Sequence, residues 1–172
     1  MATWAEFSRQ APDLAEKGRA LLYRTGVDEA LLATVRDDTS RVHPIAVAVN
    51  GSGLYSFILP SPKLTDLEAD GRYALHAYPD AEEPHEDLVR GRVRPGYEGT
   101  GRRSLRGGMA GGEAPAFEFL IEAALLAERA SRDDWPPKYS TWAVALSTTC
   151  RLSSPPASIT RPSGHQNDGS GR

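Results

Sequence analysis

The sequence predicts a mainly β domain with flanking helices, its strands closing into an antiparallel barrel, and three observations carry that expectation. Six short segments, Glu29–Arg36, Val42–Asn50, Gly53–Pro60, Arg72–Tyr78, Glu86–Pro95 and Thr141–Leu152, are rich in β-branched and aromatic residues. Turn signals such as Asp37-Asp38-Thr39-Ser40 and Asn50-Gly51-Ser52-Gly53 separate them, not the regular helices of a parallel sheet. Several are apolar on both faces, as in Leu31, Leu32, Ala33 and Val35, or Trp142, Val144 and Leu146 against Ala143 and Ala145. A barrel interior alone does not cover such strands, so some outer surface should be buried against helices or a second subunit.

The elements follow in chain order. From Trp4, the positions Phe7, Ala11, Leu14, Ala15, Gly18, Leu21 and Leu22 recur at helical spacing, with Asp13, Glu16, Lys17 and Arg19 on the other side. Pro12 suits a first turn better than a helix interior, which predicts a short turn followed by a main helix closing near Gly26. In the second strand Ile45, Val47 and Val49 point one way while Ala46 and Ala48 point the other, leaving a shallow side against which something else can lie. Ser61 as N-cap, Pro62 at the first helical position and Gly71 past the end mark a short connecting helix. An acidic turn from Asp80 to Glu86 joins the next two strands. Gly96 to Gly112 reads as a glycine-rich loop carrying Arg102, Arg103 and Arg106, and Ala114 to Ala130 as a second amphipathic helix through Phe117, Leu120, Ile121, Ala124 and Leu125. The serine-, proline- and glycine-rich end reads as a disordered tail over 154–172, which leaves one domain over 1–153.

Composition narrows the function. A chain of 172 residues, 40% hydrophobic, is long enough for one real core, and a net charge of -3 with pI near 5.8 argues against a nucleic-acid partner. No stretch has the roughly 20 apolar residues that span a bilayer, and the N-terminus lacks a secretory pattern, so the expected address is the cytoplasm with no membrane association. The single Cys150 reads as a packing residue, and His43, His76, His85 and His165 have no metal-ligand spacing.

The informative run is Arg41 to Gly71. A strand, a hairpin and a second strand lead into Ser61-Pro62-Lys63 at a helix start. Taken singly, Ser61 is a cap, Pro62 a helix initiator, and Arg41 and Lys63 surface charges. Taken together they make an anion site, because free N–H groups, the positive end of the helix dipole and two cations can converge on a phosphate. A lysine in the first turn otherwise works against the dipole by up to about 1 kcal/mol, and an anionic ligand reverses that sign.

Five segments in order, Ala-Leu-Leu-Ala-Thr-Val-Arg (30–36), Arg-Val-His-Pro-Ile (41–45), Leu-Tyr-Ser-Phe-Ile (54–58), Ser-Pro-Lys-Leu-Thr-Asp-Leu (61–67) and Asp-Gly-Arg-Tyr-Ala-Leu-His (70–76), resemble the core of pyridoxamine 5'-phosphate oxidase-like FMN-binding split-barrel proteins. The resemblance covers about the first half of the chain. It implies a six-stranded, Greek-key-like antiparallel split β-barrel, and a homodimer with two cofactor sites between subunits. It also implies that Arg41, Ser61 and Lys63 hold the cofactor phosphate, with Pro62 starting the helix. Val42, His43, Pro44, Phe57 and Ile58 would then line the isoalloxazine or ribityl chain. The implied activity is an FMN-dependent oxidoreductase acting on a small organic substrate. Alternatives are a reductase using the deazaflavin F420, with the arginine loop meeting its anionic tail, or a flavin- or haem-binding module without turnover. The flavin carries the hydride chemistry, so no catalytic side chain is named. Contacts for pyridoxal phosphate find no match, which turns the reading away from vitamin B6 oxidation. Trp135, Tyr139 and Trp142 are either ring-stacking residues or core and interface anchors.

Overall fold

A computed structural model of the chain describes residues 1–24, 29–50, 53–80, 84–96, 114–131 and 133–145. Two helices open it. Helix α1 (Trp4–Gln10) starts on a reciprocal cap in which the Glu6 N–H donates to Thr3 Oγ1 at 3.3 Å and the Thr3 N–H to Glu6 Oε2 at 2.8 Å. Pro12 opens helix α2 (Pro12–Leu22), where its missing N–H costs nothing, so the expected break between a short helical piece and a longer one is present. The helix ends at Leu22 rather than near Gly26. Phe7 packs edge-on against Trp4 at 5.5 Å between ring centres and against Trp142 at 4.9 Å. Trp142 is therefore a core anchor.

Strands β1 (Glu29–Arg36) and β2 (Thr39–Ala46) form a hairpin whose two turn residues, Asp37 and Asp38, both take positive φ, the geometry that matches strand twist. After β3 (Ala48–Asn50) and β4 (Gly53–Phe57) comes helix α3 (Pro62–Ala69), which closes on Gly71 at φ 76°. Strands β5 (Arg72–Ala77), β6 (Glu86–Pro95), β7 (Ala116–Glu128) and β8 (Lys138–Ala143) complete the described chain. All pairings are antiparallel, in the order β2-β1-β5-β6-β7-β4-β3 with β8 also on β7. The two ends of that order, β2 and β3, are successive in sequence and separated only by Val47. The sheet therefore curls until its edges belong to one strand path, giving a half-barrel around Leu32, Leu54, Leu75, Val89, Phe119 and Leu126. Helices α1 and α2 pack on it, and the Tyr23 hydroxyl accepts the Val49 N–H at 2.9 Å.

The mainly β, curled antiparallel architecture with flanking helices is the one expected. One element is corrected: Ala114 to Ala130 is not a helix, since β7 occupies Ala116–Glu128. Its helical look comes from a bulge. Arg90 pairs Ala123 and Gly91 pairs Ile121, so Glu122 is an extra residue that flips the alternation. Phe117, Phe119 and Ile121 face the core before it and Ala124 and Leu126 after it, and the three-residue step from Ile121 to Ala124 imitates a helix period. With β7 added and β2/β3 split at Val47, the described residues form eight strand segments where six were expected. The last strand begins at Lys138 instead of Thr141; its expected end, most of the Gly96–Gly112 loop, Cys150 and the tail lie outside the described residues. Among the described residues no helix is long and apolar enough to cross a membrane.

Candidate functional site

The end of β2, the segment after β4 and the start of α3 enclose a groove of about 550 Å³. That volume suits a ligand the size of a cofactor. Its walls are apolar: Pro44, Ile45 and Ala46 on one side, Phe57, Ile58 and Leu59 on the other, and Tyr78 beyond the end of β5. Leu59 and Tyr78 are 62% and 41% exposed, large surfaces left wet at the rim. Arg24 braces the Tyr78 side by donating to the backbone carbonyls of Tyr78 and, at 3.1 Å, of His85. Glu29 is the acidic residue of this end, opposite Ala46 in the β1–β2 ladder.

The other end is cationic and carries Ser61 and Lys63. Lys63 Nζ donates to Pro44 O at 2.6 Å, and partial burial lowers its ammonium below the ordinary lysine value. The helix start differs from the expected picture in two details. The Ser61 side chain does not cap α3: its hydroxyl donates back to Leu59 O at 2.8 Å, a local turn that competes with capping. Pro62 has no N–H, and the N–H groups of Leu64 and Thr65 both donate to Ser61 O at 3.1 and 3.3 Å, so the Lys63 N–H is what the first turn has left to offer. The anion-binding capacity thus rests more on side chains than on the free backbone amides expected from the sequence.

Arg41 stands off the groove lining. Its Nη1 lies 3.3 Å from Oδ1 of Asp66, whose side chain is fully buried, while the Arg41 side chain is 43% exposed. Asp66 Oδ2 accepts the Thr34 hydroxyl at 2.9 Å and lies 3.9 Å from His43 Nε2, a buried atom with no hydrogen-bond partner. Asp66 is not among the residues that the sequence singles out, yet it ties α3 to β1 and β2 together. Its spacing of three from Lys63, on one helix face, is the signal that could have found it.

Of the residues expected at the site, the structure brings Pro44, Phe57, Ile58, Ser61 and Lys63 into the groove. Arg41 and His43 gather around Asp66 instead, Val42 is 64% exposed on β2, and Pro62 is exposed at the helix start outside the lining. His76 lies on β5 with Nδ1 donating to Ala77 O at 2.7 Å, since a carbonyl can only accept. Trp135 is 71% exposed under the Arg129 guanidinium, 5.3 Å from the ring centre, and Tyr139 is 54% exposed.

No protein-family model matches the sequence, and no curated protein matches it. Solved structures do. A NimC/NimA family protein from Clostridium acetobutylicum matches with a TM-score of 0.56 at 14% identity, over 77% of this chain and 96% of that one. A haem binding protein from Mycobacterium smegmatis matches with a TM-score of 0.56 at 10% identity, over 73% of this chain and 57% of that one. A putative pyridoxamine 5'-phosphate oxidase from Listeria innocua matches with a TM-score of 0.52 at 13% identity, over 63% of this chain and 94% of that one. The curled antiparallel sheet and these likenesses together show that the chain has the split-barrel fold shared by pyridoxamine 5'-phosphate oxidase-like proteins.

Proposed function

We propose that the groove binds FMN and that the protein is an FMN-dependent oxidoreductase acting on a small organic substrate as a homodimer. The observation that carries this reading is one groove with apolar walls at Pro44, Phe57 and Ile58 and a cationic end at Lys63. An isoalloxazine needs such walls, and a phosphate needs such an end. Lys63 now donates to a neutral carbonyl; a phosphate oxygen would give it a charge-assisted bond and offset the burial that disfavours its charge. The residues present therefore fit the group. A bound flavin would supply two-electron hydride chemistry, leaving the chain to orient it, shape the substrate cavity and exclude water.

A second copy is favoured by the outer face of the sheet. The ladder places Pro44, Leu31, His76, Leu88 and Leu125 in one row next to the groove, and Val42, Leu59 and Tyr78 are exposed around it. Covering that row would also roof the groove.

Lys63→Ala is expected to raise the FMN dissociation constant by roughly 10- to 100-fold, the range for a charged hydrogen bond, with the far-UV circular dichroism unchanged. Quenching of flavin fluorescence on titration reads the constant, and an unaltered value would remove Lys63 from the phosphate site. A haem reading is favoured by the likeness to the mycobacterial haem binding protein. It would gain if added haem produced a Soret band while FMN left no trace. Uptake of F420 without FMN would move the assignment to the deazaflavin.

A further inference from the structure

We infer, resting on the homodimer reading above, that the second copy docks face to face about a two-fold axis along the row from Pro44 to Leu125, bringing Glu86 of each chain onto the partner's Arg90. Side chains alternate across a strand, so the residues two positions to either side of the row share its face. One flanking row is Val42, Ala33, Ala74, Arg90 and Ala123. The other is Ala46, Glu29, Tyr78 just past the end of β5, Glu86 and Ala127. A copy turned about that axis reverses every strand, so each flanking row lies over the partner's other row. The two rows complement each other in size: Val42 faces Ala46, Glu29 faces Ala33, Tyr78 faces Ala74 and Ala123 faces Ala127. Only on β6 do both rows carry a long side chain, and there the pair is Glu86 and Arg90, of opposite charge.

Both charges are placed for that contact. Arg90 is exposed between Ala74 and Ala123, and among the described residues it has no hydrogen-bond or ion-pair partner. Glu86 accepts from Arg129 through Oε1 at 3.3 Å, while its Oε2 lies 3.9 Å from His76 Nε2, too far for a hydrogen bond. Facing sheets stand about 10 Å apart, a gap that a glutamate and an arginine bridge together. Packed sheets cross at about 30°, which separates distant pairs, but Glu86 and Arg90 are only two residues, about 7 Å, from the axis. Towards β2 the partner's Val42 overhangs Ala46, which lines the groove, so a side chain left 64% exposed in its own chain reaches the site of the other.

Native mass spectrometry of charge-reversed chains tests this register. Wild type is expected at twice 18.6 kDa. Arg90→Glu and Glu86→Arg each set like charges face to face twice per dimer, which should raise the dimer dissociation constant at least about tenfold. Mixing the two variants restores both opposite-charge pairs, so a heterodimer should form, and the chain carrying both reversals should dimerise with itself. A monomeric wild type removes the homodimer reading and this register with it. A dimer that neither reversal weakens, or two weakened variants that stay apart on mixing, keeps the homodimer and overturns the register. Should Glu86→Arg lose its wild-type circular dichroism through the Arg129 contact, Leu88 decides, because on the axis it faces its own copy. Leu88→Arg and Leu88→Glu should each dissociate alone and pair when mixed; undiminished self-association of both, or no pairing, overturns the register.

Discussion

Gly91→Ala is expected to remove a large share of the domain's stability and to lower the urea midpoint markedly. A Cβ at this position would sit 2.0 Å from the Leu120 carbonyl oxygen and 3.0 Å from the Glu122 nitrogen, both backbone atoms of β7 with no rotamer in which to retreat. Gly91 lies at the bulge where β6 meets β7, the longest pairing of the sheet, so relief requires parting the two strands along their centre. The cost should be at least about 3 kcal/mol, the upper range for overpacking, against a total stability of some 5–15 kcal/mol for a domain. Urea denaturation reads it directly. A midpoint within experimental error of wild type would mean that β7 does not pass this close to β6.

The second large effect is a pH dependence carried by Asp87. This carboxyl is 1% exposed, lies under Gly18 of α2, and its Oδ1 has no hydrogen-bond partner. Burial raises its pKa from 3.8 to about 7, with no charged neighbour contributing. Between those values the folded chain keeps a proton that the unfolded chain has released, so stability falls as pH rises from about 4 to about 7. Spread over that window, the loss is on the order of 4 kcal/mol. Asp87→Asn remains neutral throughout. It should match wild type near pH 4 and exceed it increasingly up to pH 8, in thermal or urea melts taken across the range. Partly exposed carboxyls such as Asp70, held down to about 2 by Arg72, act below this window and cancel in the comparison of the two proteins. Parallel curves for the two proteins would show that water or a cation reaches Asp87 in the fold.

Much of this architecture is legible in the residues, and the failures have physical causes. The strands Glu29–Arg36 and Glu86–Pro95 stand where composition and turns place them, because each is one continuous strand whose buried positions alternate through its first half. Helix α3 is equally readable, since proline at its start and a glycine at positive φ beyond its end are local requirements that tertiary packing does not alter. Strand β7 imitates a helix in sequence because a bulge lies inside it, and a bulge is set by the partner strand, which local periodicity does not contain. Asp87 is visible in principle: strict alternation in β6 puts it on the face of Val89 and Gly91, yet a carboxylate invites the assumption of exposure. At the groove, Pro44, Phe57, Ile58, Ser61 and Lys63 converge because they flank one hairpin and one helix start. Arg41 falls outside since its charge is claimed by Asp66, a contact that depends on how α3 lies across β1 and β2.

A groove that recognises a ring compound by its phosphate underlies every functional prediction made for this chain. Equilibrium titration of the wild-type protein with FMN and with riboflavin tests it most directly. The expected result is saturable FMN binding at one site per chain, with riboflavin bound at least about tenfold more weakly, the effect of losing one charged hydrogen bond. Equal affinities, or no uptake of either compound, would contradict it.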